Sequence, residues 1–133
     1  MLHKNIIQIR EESLAGQVGR QWELEFPTAT ITVRELIAGR VREEVRAYNE
    51  KAGKLFVGLV APSDAERTLS GYRMKKYRWV NAEKQVEIAI RAFGSNGFFL
   101  LLGDRQLEEL DEVIIIEGDT IVSFIKLTPI VGG

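Results

Sequence analysis

The residues best suited to do chemistry in this 133-residue chain are its last two, Gly132 and Gly133, which follow Pro129, Ile130 and Val131. Glycine has no Cβ, so a glycyl carboxylate on this stalk can thread a narrow pocket and let a partner's backbone approach closely. The chemistry that suits such a group is performed on the carboxylate itself. A frayed end is the alternative. At about 7% average usage, however, two consecutive glycines at a terminus arise by chance roughly 0.5% of the time, so the tail, about residues 128–133, ranks first.

A second cluster is acidic. Asp104, Glu108, Glu109, Asp111, Glu112, Glu117 and Asp119 crowd into sixteen residues, with Arg105 the one opposing cation. Paired carboxylates can perform acid–base or metal chemistry, but a glycosidase-type pair needs a cleft and a fixed separation that a turn-rich stretch does not promise. A solvated face is the usual fate of such a run. Its functional version is a docking surface in which Glu108, Glu109 and Asp111 steer a basic patch on a partner.

The third cluster is basic and aromatic. Arg67, Arg73, Lys75, Lys76 and Arg78 interleave with Tyr72, Tyr77 and Trp79, and no acid interrupts them. Cations among aromatic platforms are what single-stranded nucleic acid binding requires. Long charged stems lying over apolar surface account for the same pattern. A protein contact through Arg73, Tyr77 and Trp79 is a further reading, because Arg, Tyr and Trp dominate interface hot spots. His3, the only histidine, lies beside the N-terminus, where a triad or metal centre lacks rigid support. No Gly-x-Gly-x-x-Gly or Walker spacing is present, so nucleotide binding by this chain is unsupported.

Composition narrows the setting. The length and 45% hydrophobic content suit one domain, residues 1–133, with its own core. A net charge of −1 gives no overall attraction to nucleic acid or anionic membrane, so neither is expected as a partner. There is no apolar run of about 20 residues and no signal-like start, which together predict a cytoplasmic protein. With no cysteine, the chain can carry neither a disulfide nor a thioester of its own.

The elements that must position these groups can be read from periodicity. Residues 5–9 and 21–26 alternate with period two and predict a hairpin, closed by Pro27. Thr32 and Glu35 have capping-box spacing and predict a helix. Along it Ile37, Val41, Val45 and Tyr48 form the apolar stripe, Arg34, Arg40, Arg42, Glu43, Glu44 and Arg46 share the remaining surface, and Gly53 ends it. Asn81 caps a second helix, over about 82–93, with Val86, Ala89, Ile90 and Phe93 on one face. The unbroken run Phe98-Phe99-Leu100-Leu101-Leu102 predicts a central strand buried on both faces. Residues 107–111 read as a connector, 113–116 as a brief strand and 120–127 as the last strand. The expected class is α+β, a mixed sheet packed on one long helix.

These residues together resemble the β-grasp proteins, more specifically ubiquitin and the ubiquitin-like sulfur carriers of molybdenum-cofactor and thiamine synthesis. The segment Leu102-Gly103-Asp104-Arg105-Gln106-Leu107-Glu108-Glu109 is similar to the ubiquitin turn that leads from its third strand into Lys-Gln-Leu-Glu-Asp. The close, Glu117-Gly118-Asp119-Thr120 followed by Pro129-Ile130-Val131-Gly132-Gly133, is similar to that of the sulfur carriers. The resemblance covers roughly residues 5–53 and 97–133; residues 54–96, with the second helix, depart from it as an insertion after the main helix.

The resemblance implies a substrate rather than an enzyme. An activating enzyme would use ATP to adenylate the Gly133 carboxylate, and this chain would bind no cofactor and no metal. It implies a protein modifier joined to target amines, served by a ubiquitin-activating-type enzyme, a conjugating enzyme and an isopeptidase. The insertion adds surface for such partners and favours the modifier over the alternative, a sulfur carrier with a C-terminal thiocarboxylate. A non-catalytic β-grasp interaction module is the remaining alternative.

Overall fold

A computed structural model describes residues 4–51, 55–62, 65–68, 71–74 and 79–127. In chain order the elements are β1 (Asn5–Glu12), β2 (Val18–Phe26), β3 (Thr30–Thr32), α1 (Val33–Lys51), β4 (Leu55–Phe56), β5 (Glu66–Arg67), β6 (Tyr72–Arg73), α2 (Ala82–Gly94), β7 (Phe98–Leu102), β8 (Arg105–Leu107), β9 (Val113–Ile115) and β10 (Ile121–Lys126). The class is α+β, with a five-stranded mixed sheet, a long helix and a second helix. Two compact units divide the chain: the first is the described residues of Met1–Leu36 with Ala92–Gly133, the second Ile37–Arg91. Among the described residues no helix is long and apolar enough to cross a membrane.

The first unit holds the five-stranded sheet, in the order β2-β1-β10-β7-β8. The predicted N-terminal hairpin forms in register, Asn5 opposite Phe26 and Ile9 opposite Trp22. Its turn closes through Ser13 N donating to Gln17 O and Gly16 N donating to Ser13 O. Gly16 supplies the positive φ of 82° that this turn requires and that other residues rarely adopt. β10 then pairs parallel to β1 and antiparallel to β7, which places the last strand third of five. Period two sends Ile7, Ile9, Leu24, Phe26, Leu100, Val122 and Phe124 to the buried side. Phe98 bridges Phe93 and Phe124, with ring centroids 5.8 Å apart at each contact.

Two expectations change here. The apolar run of β7 is neither central nor buried on both faces: it lies fourth in the order, with Phe98 and Leu100 buried and Phe99, Leu101 and Leu102 half-buried. An unbroken apolar run fits a doubly covered strand and a singly covered one equally well, and the pairing of β10 with both β1 and β7 decides the centre. The turn after β7, Gly103-Asp104, also leads into another strand, β8, rather than directly into a connector.

In the second unit the apolar stripe Ile37, Val41, Val45 and Tyr48 is buried as predicted. Arg40, expected on the charged surface, is instead fully buried and donates to Glu44 Oε2 at 3.2 Å. The other carboxylate oxygen of Glu44 accepts from Leu59 N at 3.0 Å, so the inserted segment covers this side of α1 and the ion pair ties it down. Burying a charge carries an effective penalty of several kcal/mol, which pairing and hydrogen bonding offset. Asn49 clasps Val80 through both its amide groups, at 3.0 and 3.1 Å, and Arg42 forks onto Glu83. Asn81 caps α2 by accepting from Lys84 N at 3.1 Å. The buried residue in the first turns of α2 is Gln85, which donates to Val60 O, whereas Val86 is half-buried. The inserted segment also contributes a three-stranded sheet, β4-β6-β5, that periodicity did not predict because its strands are two residues long. Gly53 lies outside the described residues.

Candidate docking site at the acidic turn

Leu107 ends β8 buried, and the chain then turns tightly, with Glu112 N donating to Glu109 O at 3.2 Å before β9 begins. This turn completes the start of α1. The first four N–H groups of a helix have no partner within it. Val33 N donates to Glu112 O at 2.9 Å, Arg34 N to Leu110 O at 3.0 Å and Glu35 N to Thr32 Oγ1 at 3.1 Å. The Glu35 carboxylate reaches back to Thr32 N at 3.1 Å, which closes the predicted capping box. The acidic turn is therefore anchored to a helix end rather than to a free loop.

An open groove of about 680 Å³ forms at this junction, lined by Thr32, Arg34, Phe93, Gly94, Glu108, Glu109, Leu110 and Asp111. Glu108, Glu109 and Asp111, the three carboxylates assigned to docking, thus share one surface, and all three are exposed. Among the described residues none of them makes an ion pair. Beside the groove β9 is paired with β3 so that Ile31 and Ile114 are buried while Val113 (52%) and Ile115 (63%) are exposed.

Glu112 behaves differently from its acidic neighbours. Its Oε2 accepts from Glu108 N at 2.6 Å and from Glu109 N at 2.9 Å, and its Oε1 accepts from Arg105 at 3.0 Å. The Glu109 and Glu108 amides, with the Arg105 guanidinium beside them, hold this carboxyl below its ordinary value of 4.5. A depressed folded-state value means that the tether is at full strength above the ordinary carboxylate range and is lost as pH falls through the lowered midpoint. In an NMR titration the Glu112 carboxyl carbon and the Glu108 and Glu109 amide signals are expected to move together, with a midpoint below 4.5. A shared midpoint at or above that value would contradict the tether.

The position of the turn relative to the chain's exit follows from register. Lys126 pairs with Phe98 and Leu107 with Leu100, so β10 and β8 finish at the same end of the sheet. They lie two strand positions apart, on the order of 10 Å. Leu127, the last described residue, donates its N–H to Gly97 O at 3.4 Å at that end.

The remaining candidates are not brought together. Pro129, Ile130, Val131, Gly132, Gly133 and Tyr77 lie outside the described residues. Arg73, on β6, and Trp79, 73% exposed, belong to the second unit, where Arg73 pairs in register with Leu55 and Glu66. Among the described residues no group of three or more His, Cys, Asp or Glu could hold a metal ion. Thr32, Arg34, Phe93, Gly94 and Leu110 were missed as groove residues. They come from β3, α1, α2 and the turn after β8, and only the capping-box spacing hinted that this helix end was a structured place. Compared with protein families, with curated proteins and with solved structures, the chain matches none.

Proposed function

We propose that this chain is a β-grasp, ubiquitin-like protein modifier whose Gly133 carboxylate is activated by an ATP-dependent adenylating enzyme. The observation that carries this reading is the sheet. Its first and last strands, β1 and β10, run parallel, with β2 beyond β1 on one side and the β7–β8 hairpin beyond β10 on the other, which is the arrangement expected of a β-grasp body. The last strand ends on the side of the sheet where three carboxylates, none of them in an ion pair among the described residues, line a groove. A partner drawn to that groove by opposite charge would meet the chain as it leaves β10.

The chemistry proceeds in three steps. A Gly133 carboxylate oxygen attacks the α-phosphorus of ATP and displaces pyrophosphate, leaving a mixed anhydride with AMP. A cysteine thiol of a partner enzyme takes the acyl group as a thioester and releases AMP, and a lysine amine of the target then displaces that thiol to form the isopeptide bond. An isopeptidase would reverse the product. This chain supplies the acyl group and the docking surface and performs no catalysis. The proposed setting is the cytoplasm, and Arg73, Tyr77 and Trp79 are the proposed contacts for a downstream enzyme.

The test uses the native cell. Lysates probed for this protein are expected to show adducts heavier by its own 15.0 kDa, stable to thiol reductants because an isopeptide resists them. Intact mass of the free protein reports whether Gly133 is the terminal residue. A gain of about 16 Da with an adduct-free lysate, the signature of sulfur replacing a carboxylate oxygen, would replace this reading by the sulfur carrier.

A further inference from the structure

We propose that the free edge of β9 is a strand-addition site for an extended segment of a partner protein with the pattern cation-x-apolar-x-apolar-x-cation. The inference goes beyond the reaction at Gly133 and does not depend on it. β9 pairs with β3 alone, so among the described residues one of its edges has no strand beside it. Hydrogen-bond parity fixes which groups lie there. Val33 N donates to Glu112 O at 2.9 Å and Ile116 N to Ala29 O at 2.7 Å, so residues 112, 114 and 116 direct their backbone groups at β3. Alternation then turns the N–H and C=O of Val113 and Ile115 to the free edge. The Ile115 carbonyl accepts from Thr120 Oγ1 there, at 3.5 Å. The Ile115 N–H and both backbone groups of Val113 have no hydrogen-bond partner among the described residues.

The side chains follow the same period. Asp111, Val113, Ile115 and Glu117 are exposed, whereas Glu112 and Ile116 are half-buried and Ile114 is buried. Proteins ordinarily protect a bare edge with charge, proline or a covering element. Here the two edge residues are β-branched and apolar, and the charges stand one step beyond each end of the strand. An added strand would bond to the Val113 and Ile115 main chain and set its own alternate side chains against theirs. The flanking charges decide the occupant. In a two-fold pairing with a second copy, the register that sets Val113 against Ile115 also sets Asp111 against Glu117. The registers in which Val113 or Ile115 faces its own copy set Glu109 against Glu117, or Asp111 against Asp119. Like charges directly opposite destabilise a strand pair, so each self-pairing is penalised. The same acids favour a foreign strand that brings a cation to each flank. Antiparallel addition places its two apolar residues opposite Val113 and Ile115 and its two cations opposite Asp111 and Glu117.

The probe is the peptide acetyl-Lys-Thr-Val-Thr-Val-Thr-Lys-amide, added at millimolar concentration to the intact protein and followed by NMR. The Val113 and Ile115 amides are expected to exchange about tenfold more slowly with peptide bound, as one new hydrogen bond each implies. Amides of β1, β7 and β10 should exchange as before. Methylating the peptide nitrogen of the second valine, the one opposite Val113, removes a main-chain donor and is expected to weaken binding about tenfold. Replacing both lysines by glutamate sets like charges opposite Asp111 and Glu117 and is expected to weaken it by about the same factor. On the protein side, V113T/I115T keeps β-branched residues but removes the apolar cross-strand pairs, with an expected loss of about tenfold. Both positions are exposed, so its melt should match that of the wild-type protein.

Unchanged exchange at Val113 and Ile115 in the presence of the peptide would overturn the proposal. Undiminished binding of the N-methylated peptide would also overturn it, since no strand would then have been added, and undiminished binding of the glutamate peptide would remove the stated partner chemistry. A wild-type protein that sediments as a dimer while V113T/I115T sediments as a monomer would assign the edge to a second copy instead. Failure of the modifier reading is distinguishable, because it appears as an adduct-free lysate and leaves the peptide measurements untouched.

Discussion

Under the proposed function, removing Gly132 and Gly133 is expected to abolish ATP–pyrophosphate exchange by the adenylating enzyme while leaving the thermal melt unchanged. Two residues span up to about 7 Å of extended chain. Adenylation requires a carboxylate oxygen in line with the α-phosphorus at roughly 3–3.5 Å, and a misplacement of about 1 Å can cost on the order of a hundredfold. A shortfall several times larger leaves nothing to measure, and the new terminus, Val131, would also carry a β-branched side chain into a site suited to glycine. The fold is expected to ignore the change, because among the described residues the buried positions of the sheet already account for its core. Exchange at the wild-type rate by the shortened protein would remove Gly133 as the reactive group and the modifier reading with it.

The second large effect tests the placement of β10. Phe124 is fully buried and lies against Phe98, and its strand joins β1 to β7. Phe124→Ala is expected to cost about 3–5 kcal/mol, lost transfer energy plus the cavity left behind. Against a typical total stability of about 5–15 kcal/mol this is a large share, and the melting midpoint should fall by roughly 10–20 °C. Its neighbour Ile125 faces the other side and is half-buried, so Ile125→Ala should shift the melt far less. Circular dichroism melts of the two variants provide the check. Equal shifts would mean that Phe124 is no more deeply packed than the half-buried Ile125.

The same alternation shows which parts of the fold could be read from residue types. Period two at Ile7 and Ile9 against Leu24 and Phe26 specified the first hairpin, because a single-residue slip would turn every apolar side chain outward. The pair Thr32 and Glu35 marked the start of α1, because a capping box is a local exchange of hydrogen bonds within four residues. The spacing of Ile37, Val41, Val45 and Tyr48 marked the buried face of that helix for the same reason. Local signals of this kind need no knowledge of the rest of the chain.

Non-local pairing carries no such signal. That β10 rather than β7 lies third of five depends on hydrogen bonds between segments more than a hundred residues apart, such as Gln8 opposite Ile121. Arg40 looked like a surface charge on the helical wheel and is buried because the inserted segment, tied through Leu59 to Glu44, covers it.

The acidic run shows both sides of this division. From residue types alone its Glu and Asp side chains were equivalent, a solvated run with one opposing arginine. The composition of that run, the capping box and the terminal glycines belong to the sequence by itself, since each is a matter of covalent order and neighbours a few residues away. The tertiary structure alone decided that Glu112 turns inward onto two amides and Arg105, while Glu108, Glu109 and Asp111 face one groove with Arg34 and Phe93. The reason is geometric: a carboxylate becomes an anchor or a ligand according to which donors the folded backbone aims at it, and those donors are placed by the pairing of β8 with β7 and of β9 with β3.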